Sequence, residues 1–343
     1  MKYRHNPQNY SLAKKIAIKL TPEFAYDASL YLEEVFTMFH DRIRFMKTYS
    51  KQKRTGRYQL ESRITYHAHA LEKGLSHEDL RFNFGKTALK SLSETMRRYA
   101  ERGYSKETAY DNGLSVLKEY IDVHEAAGES YNNLESFFDK DQIEEIKKSK
   151  STIGGTVVVK RADKIGNKSK SYKDLFMGRY SVREFSADPI DIDRLDAAIS
   201  LATKTPTVCN RQAVRVRKVT DPKLVKKTLF LQAGLHGYDT PPAVLAVTVD
   251  NGGYVRLFER NQGYVDGGAF SAALLTALEF EGLAACSLNA MFRYRIENKL
   301  RRLLNIKNSE NIIMFIAVGN FKDSVKVPKS FRYAPEDITI PAA

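Results

Sequence analysis

The spacing of apolar residues divides the chain into two stretches with different periods. The first is helical: Thr21, Pro22 and Glu23 read as an N-cap and first turn, and Phe24, Leu30, Leu32, Val35, Phe36 and Phe39 then fall on a helical period. The same period predicts helices over 60–73, stopped by a left-handed Gly74, and over 86–102, 106–127 and 130–148. TVVVK, 156–160, reads as an edge strand inside a Lys-, Ser- and Gly-rich linker over 151–171. Beyond it helices and strands alternate. Helices are expected at 174–178, 191–203, 224–235, 266–281 and 294–304, and strands in AVRVRKV (213–219), PPAVLAVTV (241–249), AACSL (284–288) and IIMFIAV (312–318). The predicted organisation is a helical region over 1–150, the linker, and an α+β domain over 172–343. The helix DGGAFSAALLTALEFE, 266–281, is apolar nearly all round and must be buried on most faces.

Composition narrows the class. With 343 residues, 43% of them hydrophobic, the chain can bury a sizeable core. The net charge of +14 is spread over both halves, and the one local basic run, KTYSKQKRTGR at 47–57, reads as a solvated loop. No nucleic-acid recognition motif accompanies that run, so a nucleic-acid partner is disfavoured. Cys209 and Cys286 give neither a disulfide framework nor a metal spacing, and MKYRHNPQNY lacks the apolar segment of a secretory signal. No apolar run approaches the roughly 18 residues of a membrane span. A cytoplasmic protein without metal is expected.

The candidate chemistry begins at MGRYSVREF, 177–185. Arg179 and Arg183 each present a planar fork of donors suited to phosphate, and Ser181 adds a hydroxyl. An isolated RxSxR is equally compatible with two solvated cations. KTPTVCNRQ, 204–212, is a helix-to-strand loop rich in amide and hydroxyl groups, suited to a flat heterocycle with several hydrogen-bonding edges. VPKSFR, 327–332, adds Lys329 and Arg332. In the helical region, YHAHALEKGLSHEDLRFNFGK at 66–86 stands apart. His67 and His69 diverge by about 200° on a helix and cannot easily share a metal. His69 and Lys73 share a face with Glu72 beside them, which is compatible either with a polar site or with an ordinary capped helix end.

Taken in order, the RxSxR opening, PTVCNRQ, a buried helix leading into EGLAACSLN, the strand IIMFIAVGN and the closing PKSFR resemble the flavin-dependent nitroreductase family over residues 172–340. The resemblance implies an α+β nitroreductase-like FMN-binding fold, a central mostly antiparallel sheet flanked by helices, in a homodimer with helix 266–281 at its core. It implies FMN as cofactor, NAD(P)H as a transient co-substrate, and a small-molecule acceptor. By the same resemblance Arg179, Lys329 and Arg332 hold the phosphate, with Tyr180, Ser181 and Arg183 completing the opening motif. Pro206, Thr207, Asn210 and Gln212 lie under the ring, Gln232 adds a pyrimidine contact, and Ser287, Leu288 and Asn289 pass the hydride-accepting nitrogen, some of these coming from each subunit. The flavin carries the chemistry, so no protein acid, base or nucleophile is required.

Tyr254, Phe258, Tyr264 and Phe292 are substrate-facing candidates, with core packing as the competing role. Tyr180 stands where the family often has a second Arg, and Ala213 and Val214 follow the loop Gln, which leaves the substrate range open. A similar EKGLS-bearing extension accompanies nitroreductase-like proteins associated with polysaccharide-biosynthesis gene clusters. Two other readings stay open: a flavin-binding module that docks a partner, and an oxidative flavin dehydrogenase.

Overall fold

The computed structural model describes residues 23–342, so the cap expected at Thr21 and Pro22 lies outside the described residues, as does the side chain of Phe24. The chain forms two compact units. One ends at Tyr49 and includes Tyr254–Asn261; the other comprises Ser50–Gly253 and continues from Gln262. In the first, helix α1 (Glu23–Thr48) carries Glu34 and Asp41, two turns apart on one face, and the Arg260 guanidinium bonds both, at 2.5 Å to Asp41. Leu32, Phe36 and Phe39 on the same helix are exposed.

The second unit opens with helices α2 (Arg57–Leu75), α3 (Lys86–Glu101), α4 (Ala109–Ala126), α5 (Asn132–Glu135) and α6 (Lys140–Lys148). Leu60, Ile64, Ala68, Leu71 and Leu75 make one buried stripe on α2 at spacings of three and four, packed on Leu89, Leu92, Met96 and Tyr99 of α3 and on Leu117 and Ile121 of α4. Two expectations are corrected here. The single helix expected over 130–148 is broken, because Asp139 forms a capping box with Gln142 and starts α6 afresh. Gly74 is not a left-handed cap: α2 runs through it to Leu75, and a Cβ at Gly74 would stand 1.9 Å from the Phe84 ring. That glycine makes room for an aromatic ring.

The chain continues through β1 (Thr156–Lys160), α7 (Tyr172–Met177), α8 (Ile192–Ala202), β2 (Val214–Val219), α9 (Pro222–Gln232), β3 (Ala243–Asp250), α10 (Gln262–Phe280), β4 (Ala284–Leu288), α11 (Tyr294–Leu303), β5 (Glu310–Gly319), β6 (Ser324–Pro328) and α12 (Pro335–Ile338). β6 was not expected from the sequence; it pairs antiparallel with β1, Thr156 opposite Pro328. The main sheet has the order β2-β3-β5-β4, every ladder antiparallel, with one parallel bridge from Ser181 to Ala285 on the free edge of β4. The α+β class and the mostly antiparallel sheet are as expected.

Alternation along β3 sends Val244 and Ala246 to a core with Val225 and Leu229 of α9, Leu300 of α11 and Val159 and Val325 of the small sheet. Ala243, Leu245 and Val247 face α8 and α10 through Leu195, Ala198, Leu274 and Leu278. Helix α10 is buried along Gly263, Gly267, Phe270, Leu274 and Leu278, but Val265, Ala269 and Ala272 are exposed. Within one chain the burial expected of its remaining faces is therefore absent.

β2 is an edge strand whose Arg217 forms two 2.7 Å bonds to the Glu310 carboxylate at the start of β5. The Thr248 hydroxyl donates to the same group. These contacts, Arg217 first, hold the Glu310 carboxyl down at about 2. A depressed carboxylate pKa contributes stability above its unfolded value of 4.5 that is lost as pH falls through the folded value of about 2. E310Q is expected to cost roughly 3 kcal/mol in urea unfolding at pH 7 and to flatten the loss of stability between those two pH values.

Candidate functional site

Ser171 caps α7 by accepting from Asp174 N at 3.1 Å, and the helix ends at Gly178. The following residues run extended along the free edge of β4, where Val182 N donates to Ala285 O at 3.0 Å. Val182 is wholly buried and Phe185 packs against Gly319, where a Cβ would lie 2.7 Å from the ring. These two anchors fix the segment. Alternation then sends Ser181 and Arg183 to the side opposite Val182.

Arg179 is half-buried, and its Nη1 is fully buried with no hydrogen-bond partner. Burial lowers its pKa, the neighbouring Arg332 lowers it further, and Glu279 opposes both. Arg183 makes one bond, from Nη1 to Ser181 O at 3.3 Å. On β4 the wholly buried Cys286 has its thiol pKa pushed up by burial and pulled down by Arg183, Arg179 and Lys73. The two motif arginines flank Val182, whose N–H is bonded to Ala285 of β4.

Lys73 comes from the last turn of α2, inside the 66–86 segment. Buried Glu72 accepts from Gly155 N at 3.1 Å and pairs with His69 Nδ1 at 3.0 Å, and His69 lies 3.5 Å from the Ser330 hydroxyl. Lys73 O accepts from the hydroxyls of Tyr238, at 2.8 Å, and Ser76, at 2.9 Å. His77 stacks on Tyr238 with centroids 3.8 Å apart, and Glu184 accepts from Glu78 N at 2.9 Å. The turn is thus tied to the chain just before β1 and just after β6, to Tyr238, and to the segment that carries Arg183. The sequence marked this segment as unusual but gave no pairing between it and the RxSxR motif.

Other candidates fall in different places. The Lys329 ammonium donates to Thr152 O at 2.9 Å. Arg332 is exposed and donates to the Ser330 and Phe331 carbonyls. Gln232 is buried with both amide ends engaged, Nε2 to Asn289 O at 3.0 Å and Oε1 from Gly234 N at 2.6 Å, so it fixes the turn after β4. Asn289 Oδ1 accepts from Met291 N, Ser287 is half-buried and Leu288 is in the core. Tyr180 packs on the same core, and so does Phe292, edge-on to Phe315 at 5.9 Å. Tyr264 is exposed on α10, and Tyr254 and Phe258 belong to the first unit.

The loop before β2 is strained. Cys209, Asn210 and Gln212 have φ of 47°, 53° and 52°, left-handed without a glycine. It is held by Val208 N donating to Asp266 at 3.3 Å and Gln212 N donating to Thr207 Oγ1 at 3.1 Å, and Gln212 Nε2 donates to Asn210 Oδ1 at 3.1 Å. Pro206, Asn210 and Gln212 are exposed. β2 and β4 are opposite edges of the sheet, three strand spacings or about 14 Å apart. Along the strands, Val214 aligns through Val249 with Asn311, whereas Ala285 aligns with Val318, an offset of about 23 Å at ~3.3 Å per residue. One chain therefore places the loop and the arginines at opposite corners.

A buried guanidinium nitrogen without an acceptor suits an anionic ligand. Inorganic phosphate is expected to raise the melting temperature of the ligand-free protein by a few degrees. R179M should remove that response without lowering the melting temperature in phosphate-free buffer; a large loss of stability there would mean that Arg179 is structural.

Residues 176–234 match the family model described as Nitroreductase family. No curated protein matches the chain. Among solved structures, a Clostridium acetobutylicum protein is similar at 18% identity, covering 50% of this chain and 100% of its own, with a TM-score of 0.43. A nitroreductase family protein of Clostridium difficile is similar at 20% identity over 44% of this chain and 84% of its own, with a TM-score of 0.39. The FMN-dependent nitroreductase of Clostridium difficile is 14% identical over 48% and 94%, with a TM-score of 0.40. The matched residues 176–234 are the part of the chain that supplies Arg179, Arg183 and the strained 206–212 loop.

Proposed function

We propose that the protein is an FMN-dependent oxidoreductase that moves reducing equivalents from NAD(P)H to a small-molecule acceptor, and that it acts as a homodimer. The observation that supports this reading best is the buried, unpartnered Nη1 of Arg179 inside a nitroreductase-family segment. FMN, when bound, supplies the hydride chemistry, accepting from NAD(P)H and returning electrons to the acceptor. The chain supplies the holding groups. Arg179 and Arg332 are the phosphate partners, and Ser181 and Arg183 bind beside them. Gln232 fixes the turn that presents the backbone of Ser287, Leu288 and Asn289. Lys329 serves this site through its place in the β6 segment, its ammonium being bonded to Thr152.

The opposite-corner placement of the 206–212 loop favours two copies, with Thr207, Asn210 and Gln212 of the partner subunit completing each site. Exposed Val265, Ala269 and Ala272 of α10, with Tyr172, Phe176 and Leu201 exposed on α7 and α8, offer the apolar contact such a dimer needs. Among the described residues no helix is long and apolar enough to cross a membrane. The acceptor classes suggested by the resemblance are nitroaromatic or quinone-like compounds and, through the EKGLS segment, a glycan-pathway compound.

The first test is the visible spectrum of the purified protein before and after anaerobic NAD(P)H. Flavin absorption that bleaches is expected; flavin that stays oxidised would sink the reductase reading, and failure to take up added FMN would sink the cofactor assignment. A second test mixes two inactive chains. R179M and the double variant N210A/Q212A should each bind FMN at least ten-fold more weakly alone, and refolding them together should restore about a quarter of the sites of an equal mixture to native affinity. No recovery would show that each chain builds its site alone.

A further inference from the structure

The helical region contributes one charged group that the family segment does not contain. Lys73 is half-buried at the end of α2, and among the described residues its ammonium makes no hydrogen bond or ion pair. Its backbone is fixed by Tyr238 and Ser76, and its neighbours in sequence are fixed by Gly155, Ser330 and Glu184, the last adjacent to Arg183 in the chain. The end of α2 thus carries Lys73 on a fixed backbone close to the segment that holds Arg183. Its helix end is bonded through Glu78 N to Glu184, the residue after Arg183, and its pKa is lowered by burial and then by Arg183. The nearby carboxylates are committed elsewhere. Glu72 is taken by Gly155 and His69, and Glu184 by Glu78 N and by ion pairs to His77 and Lys322. Meanwhile the ammonium of Lys329, expected to serve the phosphate, is bonded to Thr152 O.

We propose that Lys73 is a cofactor-binding residue: its ammonium, with Arg179 and Arg183, holds an anionic oxygen of the flavin, so that the helical region is part of the cofactor site. This inference rests on the flavin reading above. Like-charged groups at close range are held together without a counter-ion only at a cost in stability, and an anionic oxygen among them removes that cost. The oxygen belongs either to the phosphate or to the ring, and the two are separable by ligand.

The experiment measures dissociation constants of FMN and riboflavin for the ligand-free native protein, K73M and K73R by flavin fluorescence, with circular dichroism confirming the fold of each. K73M is expected to weaken FMN ten- to a hundred-fold, the loss of one charged hydrogen bond, and K73R to recover most of it. Riboflavin affinity unchanged in K73M identifies the phosphate as the source; an equal weakening of both ligands identifies the ring. Native-like FMN affinity in folded K73M overturns the inference while leaving the flavin reading intact, whereas a native protein that binds neither ligand overturns both. Should the variants not fold, acetylation of the native protein with and without saturating FMN, read by mass spectrometry, decides the matter. FMN should protect Lys73 at least several-fold, and unchanged labelling refutes the role.

Discussion

A cation removed from water must find a counter-charge, an acceptor or a route back to solvent, and the β4 edge withholds the first two from Arg179 Nη1. Glu279, the nearest acid to act on Arg179, is itself bonded to the Lys164 ammonium at 2.5 Å. Arg332 adds charge of the same sign. The fold assembles these groups with buried anchors, Val182 and Phe185, so the chain cannot relax by swinging the motif outward. Such an arrangement is costly in isolation and is offset by an anion, which ties the energetics of this edge to ligand binding.

The sheet order follows the same logic on a larger scale. β3 and β5 are the buried central strands, and the candidate residues lie at the two edges: Arg179 to Arg183 beside β4, and the left-handed Cys209, Asn210 and Gln212 before β2. A four-stranded sheet is too wide for side chains to bridge from edge to edge. The strained 206–212 loop therefore lies beyond reach of the arginine edge of its own chain. Among the described residues, none covers Val265, Ala269 and Ala272 on the exposed face of α10.

Much of this was legible in the sequence where local rules decide the outcome. The alternation in β2, the buried β3, the helix over 191–203 and the short helix delivering Arg179 all follow from period and local residue type. Failures came where side chains from distant segments intervene. Gly74 reads as a cap because a glycine near a helix end usually is one, and only the Phe84 ring explains it otherwise. β6 has the alternation of a strand, Val325 and Val327 buried between exposed Ser324 and Lys326, but it was absorbed into the closing PKSFR motif. Lys329 and Gln232 were assigned by matching residue type to position. Their bonds to Thr152 and Asn289 depend on packing that no local pattern encodes.

The helical region is joined to the sheet by hydrogen bonds whose partners lie far apart in the chain, and this bears on what the α2 terminus is for. Tyr238, between α9 and β3, is pinned to Lys73 O and stacked on His77, while Glu184, next to Arg183, holds the backbone at Glu78. A helix docked merely for stability would bury its apolar stripe, as α2 does with Leu60 through Leu75. The last turn is different in kind: Glu72, Lys73, Ser76 and His77 are polar or charged, and each is positioned through a bond to a neighbour or to its own backbone. Fixing long charged side chains costs more rotamer entropy than fixing Leu or Ile, so their order here rests on the bonds that hold them. The polar groups that end the amphipathic α2 are therefore tied to Tyr238 and to the segment that carries Arg183, where its apolar stripe alone would not have placed them.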